Sequence, residues 1–254
     1  MLFRSLRDLP GFWRSIAIVD IDHDGDLDIV GGNIGLNNPF HINSQQPAEL
    51  IAKDFDGNGI MENIFCYYIK DNTGNYKLSS GISRNEWAEQ MPSIKKRFDQ
   101  NSSYAKATMN EIFTAEIMDR AMVLKCKETR SGYFQNDGKG MFTFHAFPLI
   151  AQEAPVNVIL CTDVDNDGNN DILLAGNEYQ AAVITGRYDA SYGLCLKGDG
   201  KGNFKPLSPA MSGLIIDGDV KDLKLIMTRK HEKVLIAAIN NEPLKAFKIK
   251  KEIK

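Results

Sequence analysis

The sequence predicts an all-β repeat fold: a complete or partial β-propeller of four-stranded blades, with cation-binding loops and one helical insertion. Three observations predict it. Short apolar runs rich in β-branched residues, bounded by turn residues, recur along the chain. Three acidic loops share one nine-residue spacing and join such runs in pairs. A turn of the form Asp-x-x-Gly-x-aromatic returns at Asp71, Asp137 and Asp199, at intervals on the scale of one blade.

The first acidic loop, Asp20 to Asp28, lies between Ile16-Ala17-Ile18-Val19 and Ile29-Val30. The second, Asp54 to Glu62, lies between Leu50-Ile51-Ala52 and Ile64-Phe65-Cys66-Tyr67-Tyr68. The third, Asp163 to Asp171, lies between Ile159-Leu160-Cys161 and Ile172-Leu173-Leu174. Each carries oxygen-bearing side chains at positions 1, 3, 5 and 9 and glycine at position 6. Such a loop wraps a hard cation: alternate side chains and the position-7 carbonyl converge, and glycine permits the sharp turn. The ligand sets are Asp20, Asp22, Asp24, Asp26 and Asp28; Asp54, Asp56, Asn58, Ile60 (through its carbonyl) and Glu62; and Asp163, Asp165, Asp167, Asn169 and Asp171. Calcium, which accepts six to eight oxygens in flexible geometry, is the expected ion at up to three structural sites. A single Asp-Gly cluster reads equally well as a hairpin turn. Three matching ones do not, because uncompensated carboxylates at this density repel one another. An EF-hand needs a bidentate glutamate at position 12 between two helices. Here position 12 is Gly31, Phe65 or Leu174, so that reading fails.

Five units can be drawn, over about 14–45, 48–80, 120–148, 155–207 and 218–250. The third combines expected strands 121–125 and 132–135 and has no acidic loop. The last has strands expected at 223–227, 234–239 and 244–249, and its opening Asp217-Gly218-Asp219 lacks the full ligand set. Residues 82–120 break the pattern. Segments 84–91, 93–98 and 105–121 are helical in composition, an insertion between blades. It is either a cap that packs Trp87, Phe98, Tyr104 and Phe113 onto the sheets or an element that docks a partner. The whole of residues 1–254 is expected to form one propeller domain or a fragment of one.

The acidic loop entering an apolar strand, followed by the hairpin Asn136-Asp137-Gly138-Lys139-Gly140-Met141-Phe142, resembles the FG-GAP/VCBS repeat. That repeat builds the integrin α-subunit propeller and many secreted bacterial proteins. Segments 92–98 and 186–193 resemble the bacterial VCBS proteins of the cartilage acidic protein or ASPIC/UnbV group. The resemblance implies an extracellular, cell-surface or periplasmic protein stabilised by calcium. Family propellers carry more blades and an export signal. Residues 1–8 lack the apolar core of a signal peptide, so the expectation is either an intracellular protein or a piece of a longer exported chain with further blades.

A net charge of −3 and the absence of any apolar run of spanning length argue against nucleic-acid binding and membrane insertion. The basic clusters Lys95-Lys96-Arg97 and 248–254 read as solvated surface. Cys66, Cys126, Cys161 and Cys195 have no metal-ligand spacing and no disulfide framework is expected. None of the four histidines pairs with a plausible nucleophile, and no nucleotide-binding motif is present. Outside the loops, residues 186–193 are the densest polar and aromatic segment. Arg187 and Asp189 suit a carboxylate or sugar hydroxyls, with Tyr188 and Tyr192 as stacking faces. The same residues also suit an inter-blade clamp. Three functions follow as expectations: a non-catalytic binding or adhesion module for a protein or glycan on the propeller face, a lyase-like polysaccharide-active enzyme, or a scaffold segment of a larger exported protein.

Overall fold

Period-two alternation along short β-branched runs places the strands in four antiparallel sheets. The computed structural model describes residues 4–182 and 185–249. Residues 1–3 of the N-terminal segment and 250–254 of the basic tail lie outside them. Two units are resolved by contact density: residues 12–39 and 129–249, with 4–8, form the first, and residues 9–11 and 40–128 the second. No helix among the described residues is long and apolar enough to cross a membrane.

In the first unit, strands β1 (Ser15–Val19) and β2 (Asp28–Gly32) pair from Ser15↔Gly32 to Val19↔Asp28. β2 then pairs with β7 (Gly132–Asn136), and β7 with β8 (Phe142–Ala146). The second sheet is a continuous meander of β9 (Val156–Thr162), β10 (Asp171–Gly176), β11 (Leu194–Gly198) and β12 (Phe204–Leu207). The third holds β13 (Val220–Met227), β14 (Lys233–Ile239) and β15 (Lys245–Lys248). A one-turn helix α1 (Arg4–Arg7) precedes the first sheet, and α7 (Pro209–Ser212) follows β12.

β10 is buried on both faces, and its period-two geometry splits its side chains between two cores. Ile172 and Leu174 pack with Val30, Tyr133 and Leu196 against the first sheet. Leu173 and Ala175 pack with Leu223, Leu235 and Ala237 against the third. Each such leucine, isoleucine or valine contributes about 1.5–3 kcal/mol by leaving water. The first strands of the three sheets are neighbours, with β9 beside both β1 and β13.

The second unit pairs β3 (Ala48–Lys53) with β4 (Glu62–Lys70), and β4 with β5 (Tyr76–Ser80). β6 (Met122–Cys126) adds to the other edge of β3. The helical segment lies between β5 and β6. It comprises α2 (Arg84–Gln90), α3 (Ser93–Arg97), α4 (Asn101–Lys106), α5 (Met109–Ile112) and α6 (Ala115–Met118). Trp87, Ile94, Tyr104, Ile112 and Phe113 bury themselves with Ile51, Ile64 and Cys66 of the sheet, so the segment packs as a cap on its own strands. The single helix expected over 105–121 is broken because Thr108 and Thr114 act as N-caps and restart the chain.

Two expectations are corrected by the pairing. The unit drawn over 120–148 does not form, since β6 pairs with β3 and β7 with β2. The first acidic loop and the Asp137 turn therefore belong to one sheet, separated in sequence by residues 40–128 of the second unit. The Asp71 turn also differs from its counterparts. It joins β4 to β5 at the end of the sheet away from its acidic loop, whereas the Asp137 and Asp199 turns join third to fourth strands beside theirs.

Candidate metal centres

Each acidic loop joins the first two strands of a loop-bearing pair: β1 to β2, β3 to β4, and β9 to β10. All three loops repeat one backbone course. Position 4 is left-handed in each, at His23 (φ 61°), Gly57 (φ 75°) and Asn166 (φ 62°). Position 6 is left-handed glycine in each, with φ 94° at Gly25, 85° at Gly59 and 90° at Gly168. A Cβ resists this conformation, which accounts for the invariant glycine of the three loops.

That course brings carboxylates from positions 1, 3 and 9 together. One oxygen each of Asp20, Asp22 and Asp28 lies within 4.8 Å of the others, and the same holds for Asp54, Asp56 and Glu62 and for Asp163, Asp165 and Asp171. Three hard anionic donors in so small a volume suit a cation. A second observation favours the first loop. Asp22 Oδ1 is a buried oxygen with no hydrogen-bond donor, the kind of orphan a metal ion satisfies.

The ninth position does more than supply charge. Asp28 is buried, and its oxygens accept hydrogen bonds from Ile21 N–H (2.9 Å) and Asn136 N–H (2.8 Å). Asp171 repeats this with Val164 N–H (2.9 Å) and Gly198 N–H (3.0 Å). Each aspartate thus ties its own loop to the third strand of its sheet. Burial raises both carboxyls above the usual aspartate range, although those N–H donors pull the other way. Carboxylates at positions 3 and 5 of each loop add to the rise. Glu62 is also buried and accepts from Phe55 N–H (2.8 Å).

Positions 5 and 7 lie outside the convergent groups of carboxylates. The side chains of Asp24, Asn58 and Asp167 turn back to accept from the N–H of Asp26 (2.8 Å), Ile60 (2.7 Å) and Asn169 (2.9 Å). These are Asx turns that stiffen the loop.

The first and third loops differ in one neighbour. Gln135 and Lys197 hold equivalent places, one residue before the N–H that binds position 9. Gln135 Nε2 donates to Asp22 Oδ2 (2.6 Å). Lys197 Nζ instead pairs with Asp165 and, at 3.0 Å, with Asp167. These two carboxylates raise the Lys197 amine, and Lys233 Nζ adds a bond to the Asp163 carbonyl (3.0 Å). The third loop therefore carries fixed cations that oppose a metal ion, and among the described residues the first has none bonded to its carboxylates.

The other expected site lies in the first unit, in the segment after β10. Glu178 and Tyr188 exchange two backbone hydrogen bonds (2.8 and 3.0 Å). Arg187 stacks over Tyr179 at 4.9 Å. Arg187, Tyr188 and Asp189 line a pocket of about 240 Å³ with Asn37, Asn38, Pro39 and Thr185. Tyr192 does not line it; it is half exposed, and its carbonyl accepts from Ile216 N–H (2.7 Å).

Two buried asparagines join the sheets of the first unit. Asn177 donates to the carbonyls of Ser191 (2.8 Å) and Gly218 (2.9 Å) and accepts from Ser191 N–H (3.0 Å), tying the second sheet's long loop to the third sheet. The Asn33 carbonyl accepts from Val156 N–H (2.9 Å) and links the first sheet to the second. The signal available was the repeated Gly-Asn pair, Gly32-Asn33 and Gly176-Asn177, at the ends of β2 and β10. All four cysteines are free thiols. Comparison with protein-family models and with curated proteins gave no match.

Proposed function

We propose that the chain is a non-catalytic, calcium-reinforced β-propeller module, extracellular, cell-surface or periplasmic, that binds a glycan or protein ligand. The observation that carries this reading is the twin use of Asp28 and Asp171. Both oxygens of each already hold backbone N–H groups, so these carboxylates brace strands and are poorly placed for proton transfer. Calcium at the three clusters neutralises them and pins the loops. The adjacency of β1, β9 and β13 supports a propeller, in which first strands surround the axis. So does the resemblance of the loops and turns to FG-GAP/VCBS repeats.

The pocket of Arg187, Tyr188 and Asp189 is the ligand site, because it gathers a guanidinium, a carboxylate and two asparagines on an anchored loop. A guanidinium favours a carboxylate-bearing sugar. Titration of a panel of uronic-acid and neutral oligosaccharides in calcium tests this. Binding of the acidic members, weakened about tenfold or more in Arg187→Ala, is expected (~1.4 kcal/mol). Cleavage of any member by the wild type, or binding unchanged in Arg187→Ala, would overturn it. A second reading, a scaffold segment completed by further blades, is favoured by Ile16 and Ile18 on β1, which are 69% and 63% exposed.

A further inference from the structure

The first and third acidic loops share a backbone course, yet the side chains that reach them from other strands and loops differ in charge. Two places can be compared. One is on the third strand, just before the N–H that binds position 9. Gln135 fills it beside the first loop and Lys197 beside the third. The other is the donor to the position-1 carbonyl, which comes from the next sheet. Asn170 Nδ2 serves the Asp20 carbonyl (3.0 Å), and Lys233 Nζ serves the Asp163 carbonyl (3.0 Å). At both places a neutral amide at the first loop is replaced by an ammonium at the third.

The position-3 carboxylates differ accordingly. Gln135 satisfies Asp22 Oδ2, and Asp22 Oδ1 is left buried without a donor. Both oxygens of Asp165 are held, Oδ2 by the Lys197 ammonium and Oδ1 by Asp167 N–H (3.2 Å). The same ammonium reaches the position-5 carboxylate of Asp167 at 3.0 Å. The second loop has no counterpart of Lys197. There β5 ends opposite Cys66 and does not reach Glu62, and the Lys53 ammonium is held by the carbonyls of Ile117 (2.6 Å) and Asp119 (2.7 Å).

We infer that Lys197 is a resident cation of the third loop: its ammonium braces the carboxylates when calcium is low and must be displaced before an ion binds. The third loop is then the exchangeable, low-affinity site, and the residue at the Gln135/Lys197 place sets the affinity. This inference rests on the calcium reading of the loops. A divalent ion at the third loop must break two charge-assisted bonds or stand beside an ammonium, and either weakens binding. At the first loop it meets amide dipoles and an oxygen that lacks a donor.

Calorimetric titration of calcium into chelator-stripped protein tests this. In the wild type the weakest site should lie at least tenfold below the other two. Lys197→Gln, which copies the first loop, should tighten that site at least tenfold and lower Tm in chelator. Lys197→Arg keeps the charge and should leave the site weak. Gln135→Lys should weaken one of the tighter sites at least tenfold. Melting curves in calcium establish that each variant folds. Three equal sites in the wild type, a weak site unmoved in folded Lys197→Gln, or equal tightening by Lys197→Gln and Lys197→Arg would overturn the inference and leave the calcium reading intact. Calcium uptake by none of these proteins would overturn both.

Discussion

Asp171→Ala should destabilise the protein by about 2–5 kcal/mol in urea denaturation, with or without calcium. The carboxylate is buried and accepts from Val164 N–H and Gly198 N–H. Its removal orphans two donors, each costing about 1–3 kcal/mol when left unsatisfied. Asp28→Ala should match it, because Asp28 holds Ile21 and Asn136 in the same way. Asp167→Ala supplies the contrast. Position 5 is exposed and bonds mainly within its own turn and to Lys197, so the loss should stay below about 1 kcal/mol. Equal costs at positions 5 and 9 would show that the ninth carboxylate is not the brace described.

Trp87→Ala should cost about 3–5 kcal/mol, the range for emptying a large aromatic site. Trp87 is fully buried in the second unit, 5.3 Å from Phe113 and 6.5 Å from Phe55 between ring centres. Its indole N–H donates to Ser80 Oγ at 3.1 Å, which joins α2 to the end of β5. The change should lower the denaturation midpoint and loosen the α2–α6 cap, read as faster amide exchange in those helices. A stable Trp87→Ala protein with unchanged exchange would show that the helical segment does not depend on this core and would restore it as a candidate docking element.

What the sequence made legible was local. The acidic loops could be read because ligand spacing, glycine and flanking strands all fall within nine residues, and positions 1, 3 and 9 do converge. The strands could be read for the same reason, from alternation over a few residues. Partnership between strands could not. β6 and β7 are separated by only a short connection, yet Met122–Cys126 belongs beside β3 and Gly132–Asn136 beside β2. Nothing in either segment encodes which edge it will cover. The Asp71 turn misled for a related reason: its six residues resemble those of the Asp137 and Asp199 turns, but the sheet, not the turn, decides which end it closes. Asn33, Asn177 and Lys197 act across sheets or loops far apart in sequence, so their roles emerge only with the fold.

Calcium content and its effect on melting address the claim that the three loops are structural cation sites. Protein purified in calcium and dialysed at controlled free calcium should retain the ion in up to three sites. The loops of Asp20 and Asp54 should fill before the loop of Asp163, where Lys197 and Lys233 oppose the ion. Adding a chelator should lower Tm, since an ion that binds only the folded state stabilises it by mass action. The sign of the pH response should change too. Without calcium, the raised Asp28 and Asp171 carboxyls bind protons more tightly folded than unfolded. Their stabilisation is present at pH below the ordinary aspartate range and is lost as pH rises through their raised values. With calcium, protons compete with the ion, and stability should instead rise with pH over that window. The most direct single measurement is the melt in calcium against the melt in chelator at neutral pH. A lower Tm in chelator, restored by added calcium, is the predicted result. Identical melts, with no calcium in the purified protein, would contradict the account.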